Sequence, residues 1–232
     1  MKLLEVKDVC AFYGDLQSLF NISIEVEAGQ TVALIGANGA GKSTFLKSIV
    51  GLISSKRGEI RFSGEHIAGY PAERISKLGL TLVPEGRLLF NTLNVEENLM
   101  MGALNRRSGH WDLSRVYELF PRIADRRKQM PAMLSGGEQQ MVAIGRALMT
   151  NPKLLLADEI SQGLAPVVVD QIYEVFSSIR AEGTSIVVVE QEVKRAVAVS
   201  DYFYCLLKGR ITMEGSSHSV VFEELSHAYF GG

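Results

Sequence analysis

Gly36-Ala37-Asn38-Gly39-Ala40-Gly41-Lys42-Ser43 matches the pattern GxxxxGK[ST]. The apolar run Thr31-Val32-Ala33-Leu34-Ile35 precedes it, and Thr44-Phe45-Leu46-Lys47-Ser48-Ile49-Val50 reads as a helix after it, so strand, loop and helix are consecutive. Backbone N–H groups converge on a polyphosphate only where no side chains intervene, and a helix N-terminus adds partial positive charge. The stretch therefore implies a nucleoside triphosphate site built from Gly36, Asn38, Gly39, Ala40, Gly41, Lys42, Ser43 and Thr44. Lys42 is expected to reach the β- and γ-phosphates and the Ser43 hydroxyl to hold Mg²⁺. The alternative is a glycine-rich turn without a ligand, and the motif alone names no reaction.

A second stretch narrows the field. Leu134-Ser135-Gly136-Gly137-Glu138-Gln139-Gln140 introduces a helical run from Met141 to Met149 that Asn151-Pro152 stops. Ser135 with Glu138 forms a capping box. Gly136 and Gly137 in the first turn cost roughly 1 kcal/mol each against alanine, which suggests an anion approaching the backbone there. The plainer alternative is a well-capped helix and nothing more.

With both stretches in place the chain resembles the ATP-binding cassette family, whose LSGGQ signature stands here as Leu134 to Glu138 with Glu138 in place of Gln. The resemblance implies ATP with Mg²⁺ and a head-to-tail dimer. In it Ser135, Gly136 and Gly137 of one cassette cover the γ-phosphate held by the phosphate loop of the other.

Lys153-Leu154-Leu155-Leu156-Ala157-Asp158-Glu159 is an apolar run ending in two carboxylates, the pattern of a buried parallel strand delivering acids at its C-terminal edge. Two such acids also serve to cap a following helix. By resemblance to the Walker B motif, Asp158 orients Mg²⁺ and Glu159 is the general base for the attacking water. Tyr13, in Ala11-Phe12-Tyr13-Gly14, stands where the family places a ring against adenine; packing in a strand is the ordinary alternative.

Two positions depart from the common cassette pattern. Glu85, in Leu82-Val83-Pro84-Glu85-Gly86-Arg87, replaces a usual Gln; it can ligate Mg²⁺ or position water. Gln191, in Val187-Val188-Val189-Glu190-Gln191, replaces a usual His; its amide can still donate to a γ-phosphate oxygen. These departures resemble one branch, the ATPase subunits of bacterial high-affinity branched-chain amino acid importers. Leu93 to Ala103, Leu134 to Met149, Gly163 to Pro166 and the ending Ala228-Tyr229-Phe230-Gly231-Gly232 extend the similarity along nearly the whole chain. After Glu159 the branch usually has Pro-Ser-Leu-Gly, whereas Ile160-Ser161-Gln162-Gly163 stands here, and Ala165 replaces the Asp of most cassettes.

Composition restricts the rest. With 232 residues and 47% hydrophobic content the chain can bury a sizeable core in one domain. No apolar stretch approaches the ~18 residues of a membrane span. A net charge of -2 gives no general basic field for nucleic acid. Cys10 and Cys205 make no disulfide framework, and His66, His110, His218 and His227 lack metal-ligand spacing. Met1-Lys2-Leu3-Leu4-Glu5 has no apolar core of a secretory signal.

Strand and helix patterns alternate through residues 1–84 and again from 152, while 86–151 lose the strand pattern. The expected fold is α/β, a P-loop NTPase core (1–85 and 152–232) with an inserted helical subdomain (86–151). Asn94 with Glu97 should cap one helix there, and Trp111 to Phe120 should form another. Arg122, Arg126, Arg127 and Lys128, with Arg106 and Arg107, make this insertion locally basic, either as a solvated face or as a contact for a permease.

The resemblance implies the ATP-binding and ATP-hydrolysing subunit of an ABC importer for branched-chain or related hydrophobic amino acids, held peripherally at the cytoplasmic face of the inner or plasma membrane. Its expected partners are a second cassette, identical or paralogous, transmembrane permease subunits and, indirectly, an extracytoplasmic solute-binding protein, with no nucleic acid. A regulatory cassette with little turnover, or an importer of another small solute such as an amide or urea, remains as the alternative. Nucleic-acid-maintenance and translation ATPases need a long coiled-coil insertion or two fused cassettes, and 232 residues hold neither.

Overall fold

The computed structural model describes residues 1–53, 55–104 and 107–230. Arg106 of the basic cluster and the terminal Gly231-Gly232 lie outside them. In chain order the elements are β1 (Lys2–Tyr13), β2 (Leu16–Glu27), β3 (Thr31–Ile35), α1 (Lys42–Ile49), β4 (Ser55–Phe62), β5 (Glu65–His66), α2 (Ala72–Leu78) and β6 (Leu80–Val83). There follow α3 (Val95–Ala103), α4 (Leu113–Leu119), α5 (Pro121–Ala124), α6 (Gly136–Leu148), β7 (Leu154–Asp158) and α7 (Pro166–Ala181). The chain closes with β8 (Ser185–Glu190), α8 (Val193–Ala198), β9 (Tyr202–Leu207), β10 (Arg210–Ser216) and α9 (Phe222–Phe230).

The strands form two sheets, one ordered β2-β1-β4-β5 and one ordered β10-β9-β3-β8-β7-β6. The second is parallel from β9 through β6, with β10 antiparallel at its edge. Alternate residues of its central strands enter different cores. Ala33, Ile35, Leu155, Ala157, Ile186 and Val188 face a cluster containing α6 and α7. Val32, Leu34, Leu154, Leu156, Val187 and Val189 face the first sheet. Between the sheets lies α1, with Phe45, Leu46 and Ile49 buried in that second core. Burial on both faces explains the uninterrupted apolar runs of β3, β7 and β8.

Among the described residues no strand lies between β6 and β7. The capping box of α3 is formed: Glu97 N donates to Asn94 Oδ1 at 2.9 Å and Asn94 N to Glu97 Oε2 at 2.8 Å. Helix α4 starts from Asp112, whose side chain accepts from Arg115 N. Helices α3 and α6 approach closely at two glycines. A Cβ on Gly145 would lie 2.8 Å from both Leu99 Cδ2 and Val116 Cγ1, and one on Gly102 would lie 2.0 Å from the Arg146 carbonyl oxygen.

Gly102→Ala sets two magnitudes against each other. Alanine gains roughly 1 kcal/mol of helix propensity, while overpacking costs about 1–3 kcal/mol, and here the obstacle is backbone. We expect a net loss near 1–2 kcal/mol on the same scale, read as a lower denaturant midpoint. A midpoint at or above that of the wild type would mean the two helices separate freely.

Candidate active site

Register brings three chain segments to one sheet edge. Ile35 of β3 lies opposite Glu190 of β8, and Asp158 of β7 opposite Val189. The next residues, Gly36, Glu159 and Gln191, therefore leave the sheet side by side at its C-terminal edge, where open α/β sheets bind ligands. Gly39 and Gly41 have φ of 78° and 108°, open to glycine and strained for other residues. Gly36 is required by space instead, since a Cβ there would lie 2.4 Å from the Leu206 carbonyl oxygen. Gly41 caps α1 without a side-chain hydrogen bond, so no side chain competes for the first N–H groups of the helix.

Lys42 is buried. Its Nζ donates to the carbonyls of Gly36 at 2.7 Å and Ala37 at 3.1 Å and pairs with Glu159 Oε1 at 3.0 Å. Ser43 Oγ donates to Asp158 Oδ1 at 3.2 Å. The Gln191 amide donates to Glu159 Oε2. The Tyr229 hydroxyl, from α9, donates to the Gln191 carbonyl at 3.4 Å. Glu159 has a φ of 46°, and its N–H donates to Val189 O at 3.0 Å. A left-handed glutamate costs on the order of 1–3 kcal/mol and persists only where its surroundings hold it. Burial, first among the causes, pushes the Asp158 carboxyl up to about 6; Glu159 and Glu85 add to the rise, while Ser43 and Lys42 oppose it.

Lys42, Ser43 and Glu159 open into a cleft of about 570 Å³ that Asn38, Gly39, Gly41, Thr44 and Glu85 also line, while Asp158 and Gln191 lie outside its lining. Gly36 and Ala40 are buried behind that lining. Glu85 is exposed at the cleft. Tyr13 is exposed with its hydroxyl 3.4 Å from Thr44 Oγ1, which places it beside the start of α1 and outside the lining.

Leu16, Gln17, Ser18, Phe20, Gln162, Lys208 and Gly209 also line the cleft, and sequence reading missed them. They belong to the start of β2, the loop after β7 and the β9–β10 turn, which no local motif marks. The turn is tied in by Gly209 N donating to Ala40 O at 2.8 Å and Phe20 N to Gly209 O at 2.8 Å.

The Ser135 segment stands apart from this lining. Its capping box is complete: Ser135 N donates to Glu138 Oε2 at 2.8 Å and Glu138 N to Ser135 Oγ at 3.3 Å. Glu138 also pairs with Arg126 Nε at 2.6 Å, a use for the carboxylate that Gln would not serve. Gly137 has a packing reason within the chain, because a Cβ there would lie 2.4 Å from Val168 Cγ1 on α7. Gly136, half-buried, keeps the more open backbone. In the basic insertion Arg126 is thus paired, Lys128 bonds Glu96 at 3.1 Å and Arg107 bonds Asn151 O at 3.0 Å, so these charges are engaged within the chain.

Among the described residues no group of three or more His, Cys, Asp or Glu is placed to hold a metal ion, so Glu85, Asp158 and Glu159 do not form such a cluster. Mg²⁺ normally takes one or two protein ligands and completes its shell with water and substrate phosphates. The Ser43–Asp158 pair beside the phosphate loop fits that partial role.

A phosphate-binding loop, a strand-end pair of carboxylates and a parallel sheet define a nucleoside-triphosphate-binding domain. Residues 19–162 match the ABC transporter family model, more than half of the chain, and the protein belongs to that family. It is 43% identical to the high-affinity branched-chain amino acid transport ATP-binding protein BraG of Pseudomonas aeruginosa, over 99% of this chain and 100% of that protein. It is 32% identical to the probable branched-chain amino acid transport ATP-binding protein LivF of Archaeoglobus fulgidus, over 96% and 95% respectively. A solved ATP binding subunit of an ABC transporter superposes with a TM-score of 0.85 at 30% identity, over 98% of this chain and 99% of that one.

Asp158 makes stability depend on pH. Its carboxyl titrates near 3.8 in a free chain and at about 6 when folded, so between those values the folded state holds the extra proton and stability falls as pH rises. Asp158→Asn should make the nucleotide-free protein more stable at pH 7 by up to ~3 kcal/mol. The advantage should disappear below about pH 4, where both side chains are neutral. Denaturant unfolding across this range checks it; equal stabilities at pH 7 would refute it.

Proposed function

We propose that this protein is the ATP-hydrolysing subunit of an importer for branched-chain amino acids, working at the cytoplasmic face of a membrane. One observation carries the chemistry: Glu159, held in a left-handed conformation at the end of β7, receives Lys42 on one carboxylate oxygen and the Gln191 amide on the other. Lys42 is shared among this carboxylate and two loop carbonyls, and a polyphosphate entering the loop competes with those acceptors. Glu159 then accepts the proton of the attacking water while Gln191 fixes its orientation. Mg²⁺, held through Ser43 and Asp158 with Glu85 near by, supplies neutralisation of phosphate charge when bound. The identity to BraG along both whole lengths supports the cargo.

Among the described residues no helix is long and apolar enough to cross a membrane, so this reading assigns the passage to permease subunits. A groove lined by Leu82, Pro84, Leu88, Phe90 and Met101, with Leu88 65% and Phe90 44% exposed, supports docking of such a partner. Ser135, exposed, and Gly136, half-buried, stand outside the lining of their own cleft, which supports a second cassette whose triphosphate they would cover.

In the assembled transporter Glu159→Gln should lower kcat by roughly 10²–10⁴-fold with little change in ATP affinity. Lys42→Ala should weaken both. Wild-type turnover in Glu159→Gln would remove Glu159 as the base, and no turnover by the wild-type complex would favour a regulatory cassette. Glu85→Gln tests the metal separately. A carboxylate near Mg²⁺ interacts more strongly than an amide, so the Mg²⁺ concentration for half-maximal activity should rise while nucleotide binding holds. An unchanged Mg²⁺ dependence would leave Glu85 with a structural role only.

A further inference from the structure

Glu190 is a buried carboxylate, 2% exposed, that the scheme above does not use. It ends β8 on the face that Ile186 and Val188 present to the core around α7, so an otherwise apolar row finishes in a charge. An apolar residue would suit that face better, because burying a carboxylate costs several kcal/mol before its hydrogen bonds are counted. Beside the Ser161 backbone, two side chains donate to Glu190. Its Oε2 accepts from Ser161 Oγ at 2.7 Å, and its Oε1 accepts from the hydroxyl of Tyr173, itself buried on α7.

Both donors lie on the segment that leaves Glu159 and runs into α7, and the residue after Glu190 is Gln191. Glu190 therefore binds the loop that carries the base to the strand end that carries the amide. Tyr229 holds the same amide residue as well, through its carbonyl. Ser161 is close to Glu159 in sequence, but neither Tyr173 nor Glu190 lines the cleft.

Building on Glu159 as base and Gln191 as its partner, we infer that Glu190 is a positioning residue for hydrolysis: through Ser161 and Tyr173 it fixes the Gln191 amide on the Glu159 carboxylate. The Glu159–Gln191 contact joins two loops, and a side chain free to move by about 1 Å in such a contact costs on the order of 10²-fold in rate. A buried, doubly hydrogen-bonded anchor one residue away removes that freedom.

The test uses Tyr173→Phe, Ser161→Ala and Glu190→Gln, each alone and combined with Gln191→Ala. ATP turnover is measured in the assembled transporter, and hydrogen exchange of the Gln191 side-chain amide is followed by NMR in the nucleotide-free protein. Each single variant should lower kcat about five- to tenfold with KM for ATP within about twofold, and should speed Gln191 amide exchange. In the Gln191→Ala background the same substitutions should cost less than about twofold, because the group they position is gone. Tyr173→Phe removes only a hydroxyl and guards against a folding defect in Glu190→Gln.

Wild-type kcat in the single variants overturns the inference, as do losses that multiply undiminished with Gln191→Ala. So does a lower unfolding midpoint with unchanged Gln191 exchange. A wild-type complex without turnover sinks the functional reading itself, while the exchange measurement still decides whether Glu190 holds Gln191.

Discussion

The parallel pairing of β8 with β3 on one side and β7 on the other is the constraint on which the rest of the molecule depends. It sets Ile35 against Glu190 and Asp158 against Val189, and so lets the phosphate loop, the base and Gln191 leave the sheet within one residue of the same level. A slip of one residue would invert the faces of β8, sending Glu190 toward the first sheet and Val189 toward α7. The two buried cores resist this, because alternate residues of the same strands fill both of them. Catalytic alignment is thus secured by apolar packing several residues away from any charge.

That edge gathers Asp158, Glu159 and Glu190 in largely buried positions, with Lys42 as the buried cation. Unpaired charges so placed would each cost several kcal/mol. Every one has a partner: Ser43 on Asp158, Lys42 and Gln191 on Glu159, Ser161 and Tyr173 on Glu190. Burial still dominates for Asp158 and Glu190, whose carboxyls stay above the usual carboxylate range. The folded protein keeps a destabilised edge whose charges a nucleotide with Mg²⁺ can engage, in keeping with function concentrated where stability is sacrificed.

What sequence made legible was what is local. Gly36 to Ser43 lies within one turn of strand and helix, and the apolar run into Asp158-Glu159 is read directly because both faces of β7 are buried. The capping boxes at Asn94 and Ser135 rest on residues three apart and formed as their pattern implied. The first sheet was less visible: β1 and β2 are interrupted by register shifts that break their alternation. Gly137 also has a packing reason that no local pattern shows, since a Cβ there would meet Val168, a contact between helices far apart in sequence. Lys208 and Gly209 reach the cleft only through the β9–β10 turn, and Glu190 finds Tyr173 only after α7 docks; neither pairing has a spacing to recognise.

Gln191 shows how local chemistry and distant packing depend on each other. An imidazole facing the Glu159 carboxylate, with the Glu190 carboxylate one residue behind, would be drawn toward its charged form and would bind the base partly by Coulomb attraction. A neutral amide has no such attraction. It donates one directional hydrogen bond, which weakens steeply with misalignment. Geometry must then supply what charge does not, and the strand end bearing Gln191 is held at two points, by Ser161 and Tyr173 through Glu190 and by Tyr229 at the Gln191 carbonyl. A neutral amide takes one titrating group out of the contact, and the orientation that charge would have supplied comes from tethers that only the assembled fold provides.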